Sequence, residues 1–338
     1  MERLVTDMTE TEILFDLLEK GISPAHAVSA CEKRLTDAGF EVVDYGTAWN
    51  LKAGGKYVIN HHETTLFAFT LPQNWSDREP AIRIAAAHTD FPCLRIKPSC
   101  DIQTNGYAQV NVEVYGGAIL NTWLDRPLGV AGRVAVRSGD VFTPKVVTFQ
   151  SEKNLMTIPN LAIHMNREVN KGVELNKQTE LLPICGLSDD ADYFLDFLAK
   201  ELAVKKEDIL DFELTIYNKE KPEFVGLNDE FISASRLDNL NSCSALVSAI
   251  IDSDRADGMN LIALFDHEEI GSRSKQGAGS ILLHDMLVRI LTECGLEKEV
   301  WNRLYNSIIL SVDVAHGLHP NYAGKMDLTN KPVLGKGF

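Results

Sequence analysis

The sequence predicts an α/β fold in which a β-rich segment interrupts a domain of alternating helices and strands. Three observations predict it: helical apolar spacing opens the chain, Val-rich alternating segments fill its middle, and helix–strand alternation returns after residue 228. With 338 residues and 45% hydrophobic content, the chain can build two cores. We therefore expect a discontinuous α/β domain at 1–95 and 229–338 and an inserted β-rich domain at 96–228.

The first part of the chain is predicted to form two helices and then strands. Apolar residues at helical spacing predict a helix over 9–20. Ser23 and Pro24 are typical of an N-cap followed by proline at the first helical position, and this second helix is expected to end near Gly39. Predicted strands follow at 56–71 and 81–87. The later strand is nearly all apolar, as in a sheet that is covered on both faces.

The middle of the chain is predicted to be β-rich, because glycine turns separate segments of alternating polarity. The predicted strands are 109–115, 130–136, 143–148 and 211–217, and the predicted helix is 189–203. After residue 228 the elements alternate as β/α units do. They are a helix over 240–251, a strand over 260–265, a helix over 280–294 and a strand over 307–312.

Composition excludes several classes of partner. The formal net charge is -15, and no Lys/Arg-rich run contradicts it, so a nucleic acid is not expected as a partner. No apolar run reaches the roughly 20 residues that span a bilayer, and the N-terminus lacks an apolar signal region. We expect a cytoplasmic protein with no membrane partner. The six cysteines form no C-x-x-C pair, which favours reduced structural thiols.

Two adjacent carboxylates, Glu268 and Glu269, follow an apolar run that ends in Phe265-Asp266-His267. Side by side they repel each other, so both stay ionised only where a cation or hydrogen bonds compensate. Alone, this stretch is also typical of a charged surface loop. As a metal hydrolase site, one glutamate would bind the ion and the other would take a proton from bound water.

Further acidic and histidine motifs also occupy loop positions, mostly after apolar runs. They contain His88 and Asp90 (HTD), Asp238 (SRLDN) and Asp313 (SVDVAH). Strand ends are where open α/β sheets bind ligands, and imidazole with carboxylates suits zinc, manganese or cobalt. Together the motifs predict a metal centre. The remaining histidines of interest, which we do not assign to metal, are His61, His62, His267, His316 and His319.

The chain resembles the M18 family of metallopeptidases, which includes aspartyl aminopeptidase and aminopeptidase I. The resembling segments are HTDFPCLRIKP at 88–98, TWLDRPLGVAGR at 122–133, IPNLAIHMNR at 158–167, SASRLDNLNS at 233–242, FDHEEIGSRSKQGA at 265–278 and SVDVAHGLHPNY at 311–322. The resemblance implies a mixed-sheet, two-metal aminopeptidase catalytic domain with an inserted β-rich dimerisation domain. It also implies a homo-oligomer, a dodecamer built from dimers.

The resemblance implies a role for each site residue. His88 and Glu269 would bind one divalent ion, Asp238 would bridge two ions, and Asp313 would bind the second. Glu268 would be the general base on the water that bridges the metals. Two further residues complete the site. Asp90 would orient the His88 imidazole, and His164 would reach a neighbouring subunit's active site. The two ions per subunit are expected to be zinc, with cobalt or manganese as alternatives.

Members of this family continue beyond the point where this sequence stops, at Phe338. The resemblance places a last metal-binding histidine and a basic residue for acidic substrates in that further segment, so we expect the chain to be C-terminally incomplete. The first functional hypothesis is a metal-dependent aminopeptidase that removes an acidic or neutral N-terminal residue from peptides. The alternative is a non-catalytic assembly or cargo protein on a truncated peptidase fold.

Overall fold

The computed structural model describes residues 8–75, 80–172, 174–253 and 257–336. The helices within these ranges are α1 (Glu10–Lys20), α2 (Pro24–Asp37), α3 (Tyr193–Glu201), α4 (Leu237–Asp252), α5 (Leu282–Glu293) and α6 (Val300–Tyr305). The strands are β1 (Glu41–Val42), β2 (Lys56–His61), β3 (Thr65–Thr70), β4 (Ile82–His88), β5 (Cys93–Thr104), β6 (Tyr107–Tyr115), β7 (Leu128–Val136), β8 (Lys145–Gln150), β9 (Ile184–Leu187), β10 (Ile209–Asn218), β11 (Glu223–Val225), β12 (Phe231–Ser233), β13 (Met259–Phe265) and β14 (Ile308–Ser311).

The first two helices begin where their capping residues predict. Thr9 accepts a hydrogen bond from the Glu12 backbone N–H at 3.2 Å, and the Thr9 N–H donates to the Glu12 carboxylate at 2.8 Å. Ser23 caps α2 by accepting from the His26 N–H at 3.4 Å, and Pro24 is the first helical residue. These bonds satisfy N–H groups that a helix terminus otherwise leaves without partners. Both predicted helices are confirmed.

The first sheet has the strand order β1-β2-β3-β13-β4-β14 and is mixed. β13 pairs with β4 in parallel and with β3 antiparallel, while β14 pairs with β4 in parallel. The predicted strand at 56–71 is a hairpin of two strands, β2 and β3. All four residues of the edge strand β14 are exposed. The mixed α/β fold predicted from the sequence is confirmed.

Helices cover both faces of this sheet. Along β3, Leu66 and Ala68 join a core with α1, α2 and α4, whereas Phe67 and Phe69 join a separate core with α5 and α6. Successive side chains of a strand point to opposite faces, so one strand supplies both cores. This double coverage explains why β3 is apolar at nearly every position. No helix of the described residues is long and apolar enough to cross a membrane.

The second sheet is antiparallel and has the order β8-β7-β10-β5-β6-β9. Its core includes Phe194 and Leu198 of α3, which packs on one face. β5 begins at Cys93, three residues before the predicted start of the insert at 96. A short ribbon of β11 and β12 follows β10 and leads back to the first sheet. His88 and the second sheet are therefore only five residues apart along the chain.

Several predicted elements differ in their ends. The helix predicted over 189–203 begins at Tyr193, because residues 188–192 form turns in which Ser188 and Asp190 side chains accept backbone N–H bonds. The helix predicted from residue 240 begins three residues earlier, at Leu237, with a kink in its first turn. The short elements β1 and α6 were not predicted, since neither is long enough to show a period.

Candidate metal centre

Three strands bring most of the predicted site residues to one edge of the first sheet. His88 is the last residue of β4, Glu268 and Glu269 lie in the 3-10 turn after β13, and Asp313 follows β14. Because β13 and β14 run parallel to β4, their carboxyl ends meet at the same edge. Open α/β sheets bind ligands at this edge. The fold thus collects residues that are up to 225 positions apart, from His88 to Asp313.

Asp238 reaches the same edge from the start of α4. Arg236 has a φ of 63°, Asp238 and Asn239 have non-helical dihedrals, and the peptide bond between these two residues is cis. The Arg236 guanidinium donates to the backbone carbonyls of Leu18 and Asn218, at 2.8 and 3.2 Å. These bonds tie the turn to α1 and β10. Asp238 therefore sits on an anchored turn rather than inside a regular helix.

His88, Asp238 and Asp313 form a compact donor group, with one ligand atom of each within 4.8 Å of the others. His88 Nε2 lies 3.4 Å from Asp238 Oδ1 and 3.7 Å from Asp313 Oδ1. The His88 side chain is 5% exposed, whereas the two carboxylates are about half exposed. One imidazole and two carboxylates that converge in this way fit a divalent ion such as zinc.

Asp90 lies beneath this group and contacts several parts of it. Its carboxylate is 3.3 Å from His88 Nδ1, and its backbone carbonyl is 3.0 Å from the same nitrogen. The backbone N–H groups of Glu268 and Glu269 donate to Asp90 Oδ1 and Oδ2, each at 3.1 Å. With Nδ1–H directed at Asp90, the lone pair of His88 is on Nε2 and faces the donor group.

The two adjacent glutamates point in different directions. The Glu268 carboxylate comes within 3.8 Å of His88 Nε2, while the Glu269 side chain packs against the backbone of Gly116, which has a φ of 72°. A Cβ at Gly116 would lie 2.8 Å from Glu269 Oε2. The left-handed residues His267 and Gly271 flank the 3-10 turn and set these directions. The resemblance paired His88 with Glu269, whereas in the structure the compact group pairs His88 with Asp313.

Carboxylates crowd the site, and this crowding sets its electrostatics. Burial, together with the charges of Asp238 and then Asp90, raises the pKa of Glu269 to about 7. Burial, followed by the Asp313 charge, also raises the pKa of Asp238. Burial alone would lower the pKa of His88, but Asp90 and then Glu268 raise it to about 9. The part of each shift that comes from neighbouring carboxylates reflects negative charge at the site, which a cation would offset.

A cavity of about 970 Å³ opens beside the donor group. Asp238 and His316 line it together with Phe91 and Trp123. The structure thus brings Asp238 and Asp313 to His88, with Glu268 close by. His164 is exposed on the loop between β8 and β9 and lies outside the donor group.

Sequence reasoning did not identify Tyr115 and Gly116, which contact Asp90 and Glu269. Tyr115 ends a strand of alternating polarity and precedes two glycines, a pattern that predicts a strand end and nothing more. Its contact with Asp90 joins residues 25 positions apart, one in the loop between β4 and β5 and the other at the end of β6. No local signal in the sequence indicates such a contact.

Comparison with known proteins identifies the family of this chain. The family model described as aminopeptidase I zinc metalloprotease (M18) matches residues 17–338. A probable M18 family aminopeptidase 2 of Clostridium novyi (strain NT) is 41% identical over 330 residues, which cover 96% of this chain and 76% of that protein. One of Pseudomonas aeruginosa (strain UCBPP-PA14) is 40% identical over 331 residues, which cover 96% and 75%.

A solved structure shows the same fold. The cryo-EM structure of the Ape4 and Nbr1 complex is similar to this chain with a TM-score of 0.88 and 32% identity, covering 99% of this chain and 70% of that one. The family model, the relatives and the shared fold agree on one family. The chain therefore belongs to the M18 family of zinc metalloaminopeptidases, enzymes that hydrolyse peptides and use a divalent metal ion.

Proposed function

We propose that this chain removes one N-terminal residue, acidic or neutral, from peptides, with Glu268 as the general base. The observation that carries the proposal is the convergence of His88, Asp238 and Asp313, with the Glu268 carboxylate 3.8 Å from His88 Nε2. A carboxylate at this position is beside the metal-binding atoms and still half exposed to entering substrate and water. These are the two conditions that a base for hydrolysis needs.

The donor set supports two divalent ions. His88, Asp238 and Asp313 would hold one ion, and Glu269 with Asp238 would contribute to the second. The raised pKa of Glu269, caused by burial and by the Asp238 and Asp90 charges, favours a cation beside it. The resemblance implies a different pairing, in which Glu269 binds the same ion as His88 and Asp313 binds the second ion. Zinc fits an imidazole with carboxylates, and cobalt or manganese accepts the same donors.

In the proposed mechanism, divalent ions held by His88, Asp238, Asp313 and Glu269 would supply Lewis acidity toward the scissile carbonyl and the attacking water. Glu268 accepts a proton from the attacking water and later donates it to the leaving amine. His88 is held with Nε2 facing the donor group because Asp90 occupies its Nδ1 side. Asp90 also binds the backbone N–H groups of both glutamates, so it sets the position of the base relative to His88.

The cavity beside the donor group is the proposed peptide site. Apolar Phe91, Pro92 and Trp123 form part of its wall. Charged residues of both signs form another part: Arg126 and Glu220 of the wall pair with each other, and Lys221 of the wall pairs with Glu19 of α1. A wall with balanced charge supports an acidic or neutral N-terminal residue without selecting between them.

We further propose that residues 96–228 form a dimerisation domain within a homo-oligomer built from dimers into a dodecamer, and that His164 contacts the active site of a neighbouring subunit. Large apolar side chains of this segment are exposed: Val141 and Phe142 in the loop between β7 and β8, at 91% and 92%, and Leu187 at the end of β9, at 79%. Such side chains are typical of surfaces covered in an assembly. Light scattering would test the mass of the proposed oligomer.

All six cysteines are free thiols, which supports a reducing compartment, and we propose the cytoplasm.

The test is hydrolysis of Asp-, Glu-, Leu- and Lys-p-nitroanilide with added zinc, cobalt or manganese. We expect metal-dependent turnover by the unmodified chain. Glu268→Gln should retain metal and lose turnover by about 100-fold or more, as removal of a general base does. Glu297→Gln is the matched control, because it removes the same charge at an exposed glutamate, and it should be fully active. Full activity of Glu268→Gln would remove Glu268 from the mechanism.

A further inference from the structure

Tyr115 connects the second sheet to the metal centre. It is the last residue of β6, and it is 6% exposed. Its hydroxyl donates to Asp90 Oδ2 at 2.6 Å, the distance of a charge-assisted bond from a hydroxyl to a carboxylate. Burial, followed by the Asp90 charge, raises the pKa of Tyr115 far above its usual value, so the phenol keeps the proton that it donates.

The Asp90 carboxylate has four neighbouring donors, two on each oxygen. Oδ1 faces His88 Nδ1 and the Glu268 N–H, and Oδ2 faces the Glu269 N–H and the Tyr115 hydroxyl. Without the Tyr115 hydroxyl, Oδ2 would keep one donor at 3.1 Å. The carboxylate plane could then rotate about the Cβ–Cγ bond, whose torsion has a broad minimum. Such rotation would move the acceptors of His88 and of both glutamate N–H groups together.

The Tyr115 ring is itself held by the second sheet. The Arg95 guanidinium of β5 lies 4.0 Å from the ring centroid, within the range of a cation–π contact. Arg95 pairs with Glu213 of β10 at 2.9 Å, and Arg133 of β7 pairs with the same glutamate at 2.7 Å. Three strands of the second sheet thus fix the ring that carries the hydroxyl. The direction of the hydroxyl is set by that sheet and not by the loop at the metal centre.

We propose that Tyr115 is a positioning residue of the metal centre: its hydroxyl fixes the Asp90 carboxylate, and through it the His88 ring and the backbone of Glu268 and Glu269. This inference rests on the metal site proposed above. It makes zinc affinity and turnover depend on a residue of the second sheet. Tyr115 is buried and belongs neither to the donor group nor to the wall of the cavity beside it, so substrate binding should not depend on it.

The test uses Tyr115→Phe, which removes the hydroxyl and keeps the ring. Zinc affinity of the metal-free protein is measured by competition with a chromophoric chelator, and kcat and KM are measured at saturating zinc. We expect about 10-fold weaker zinc binding, which is at the low end of the effect of replacing a residue that supports a metal ligand by hydrogen bonds. We also expect lower kcat with KM unchanged. Tyr107→Phe, at the exposed start of the same strand, should match the unmodified chain.

Two further measurements separate the possible failures. A thermal midpoint that falls in Tyr115→Phe while zinc affinity and kcat stay unchanged would overturn the inference and leave a structural role. His88→Ala measures how much zinc binding belongs to the proposed site. If His88→Ala binds zinc as tightly as the unmodified chain, the metal site and the inference both fail. If His88→Ala loses zinc but Tyr115→Phe does not, only the inference fails.

Discussion

Replacement of Asp90 by asparagine tests the central contact of the site. The substitution keeps the shape of the side chain, removes its charge, and replaces one acceptor oxygen by an NH₂ group. Asp90 is fully buried, so water cannot supply the lost interactions. The four donors around the carboxylate then compete for one oxygen.

The structure sets the size of the effect. If the NH₂ group occupies the Oδ2 position, the Tyr115 hydroxyl can turn and accept, but the Glu269 N–H faces another donor and loses its partner. The opposite orientation removes the partner of the Glu268 N–H instead. One buried N–H without an acceptor costs about 1–3 kcal/mol in the free energy of unfolding. Since His88 also loses its anionic partner, zinc affinity should fall by about 10- to 100-fold.

Urea unfolding of the metal-free protein and zinc competition measure the two effects. Asp101→Asn is the matched control, because Asp101 also accepts two backbone N–H bonds, from Phe194 at 2.6 Å and Leu195 at 3.2 Å, but within the second sheet. It should lower stability by a similar amount and leave zinc affinity unchanged. The reasoning is refuted if Asp90→Asn binds zinc like Asp101→Asn, or if it is as stable as the unmodified chain.

Two other predictions concern the bridging ligand and pH. Asp238→Asn should lower the zinc content per chain, because Asp238 is the proposed ligand of both ions. Atomic absorption measures this content, and an unchanged stoichiometry would contradict the proposed role of Asp238. Burial lowers the pKa of His26 to about 4, from 6.5. The unfolded chain therefore binds more protons between pH 6.5 and 4, and stability falls as pH falls through this window, by at most about 3 kcal/mol. His26→Gln should flatten that part of the stability profile, and identical profiles for the two proteins would show that His26 does not contribute.

Much of the fold follows from local sequence, while the grouping of the ligands does not. Thr9, Ser23 and Pro24 mark helix starts with side chains that cap only their own helix, so the sequence alone predicts them. The strands at 81–87 and 260–265 are also predicted from local sequence, because a nearly continuous apolar run is typical of a strand in a sheet that is covered on both faces. By contrast, the pairing of β13 and β14 with β4 determines which strand ends meet, and pairing depends on contacts across the whole chain.

The two glutamates show this limit at the level of one turn. Their sequence, Glu268-Glu269, gives no reason for one rather than the other to face His88. The choice is made by backbone dihedrals, since His267 has a φ of 63° and Gly271 a φ of 95°. Packing also determines the direction of Glu269. Its side chain fits against the backbone of Gly116, whereas a side chain at position 116 would collide with it. Both causes are tertiary, and neither is visible in the motif.

The position of Asp90 explains why the second sheet belongs to the chemistry of the first. Asp90 lies between His88, the last residue of β4, and Cys93, the first residue of β5, so both sheets fix its backbone within five residues. Its carboxylate then joins the turn after β13 to Tyr115 at the end of β6. The buried Asp90 carboxylate needs all of these donors. If one sheet shifted relative to the other, either a buried donor or the carboxylate charge would lose its partner. The geometry of the metal centre is therefore set jointly by both sheets, although every proposed metal ligand lies at the edge of the first.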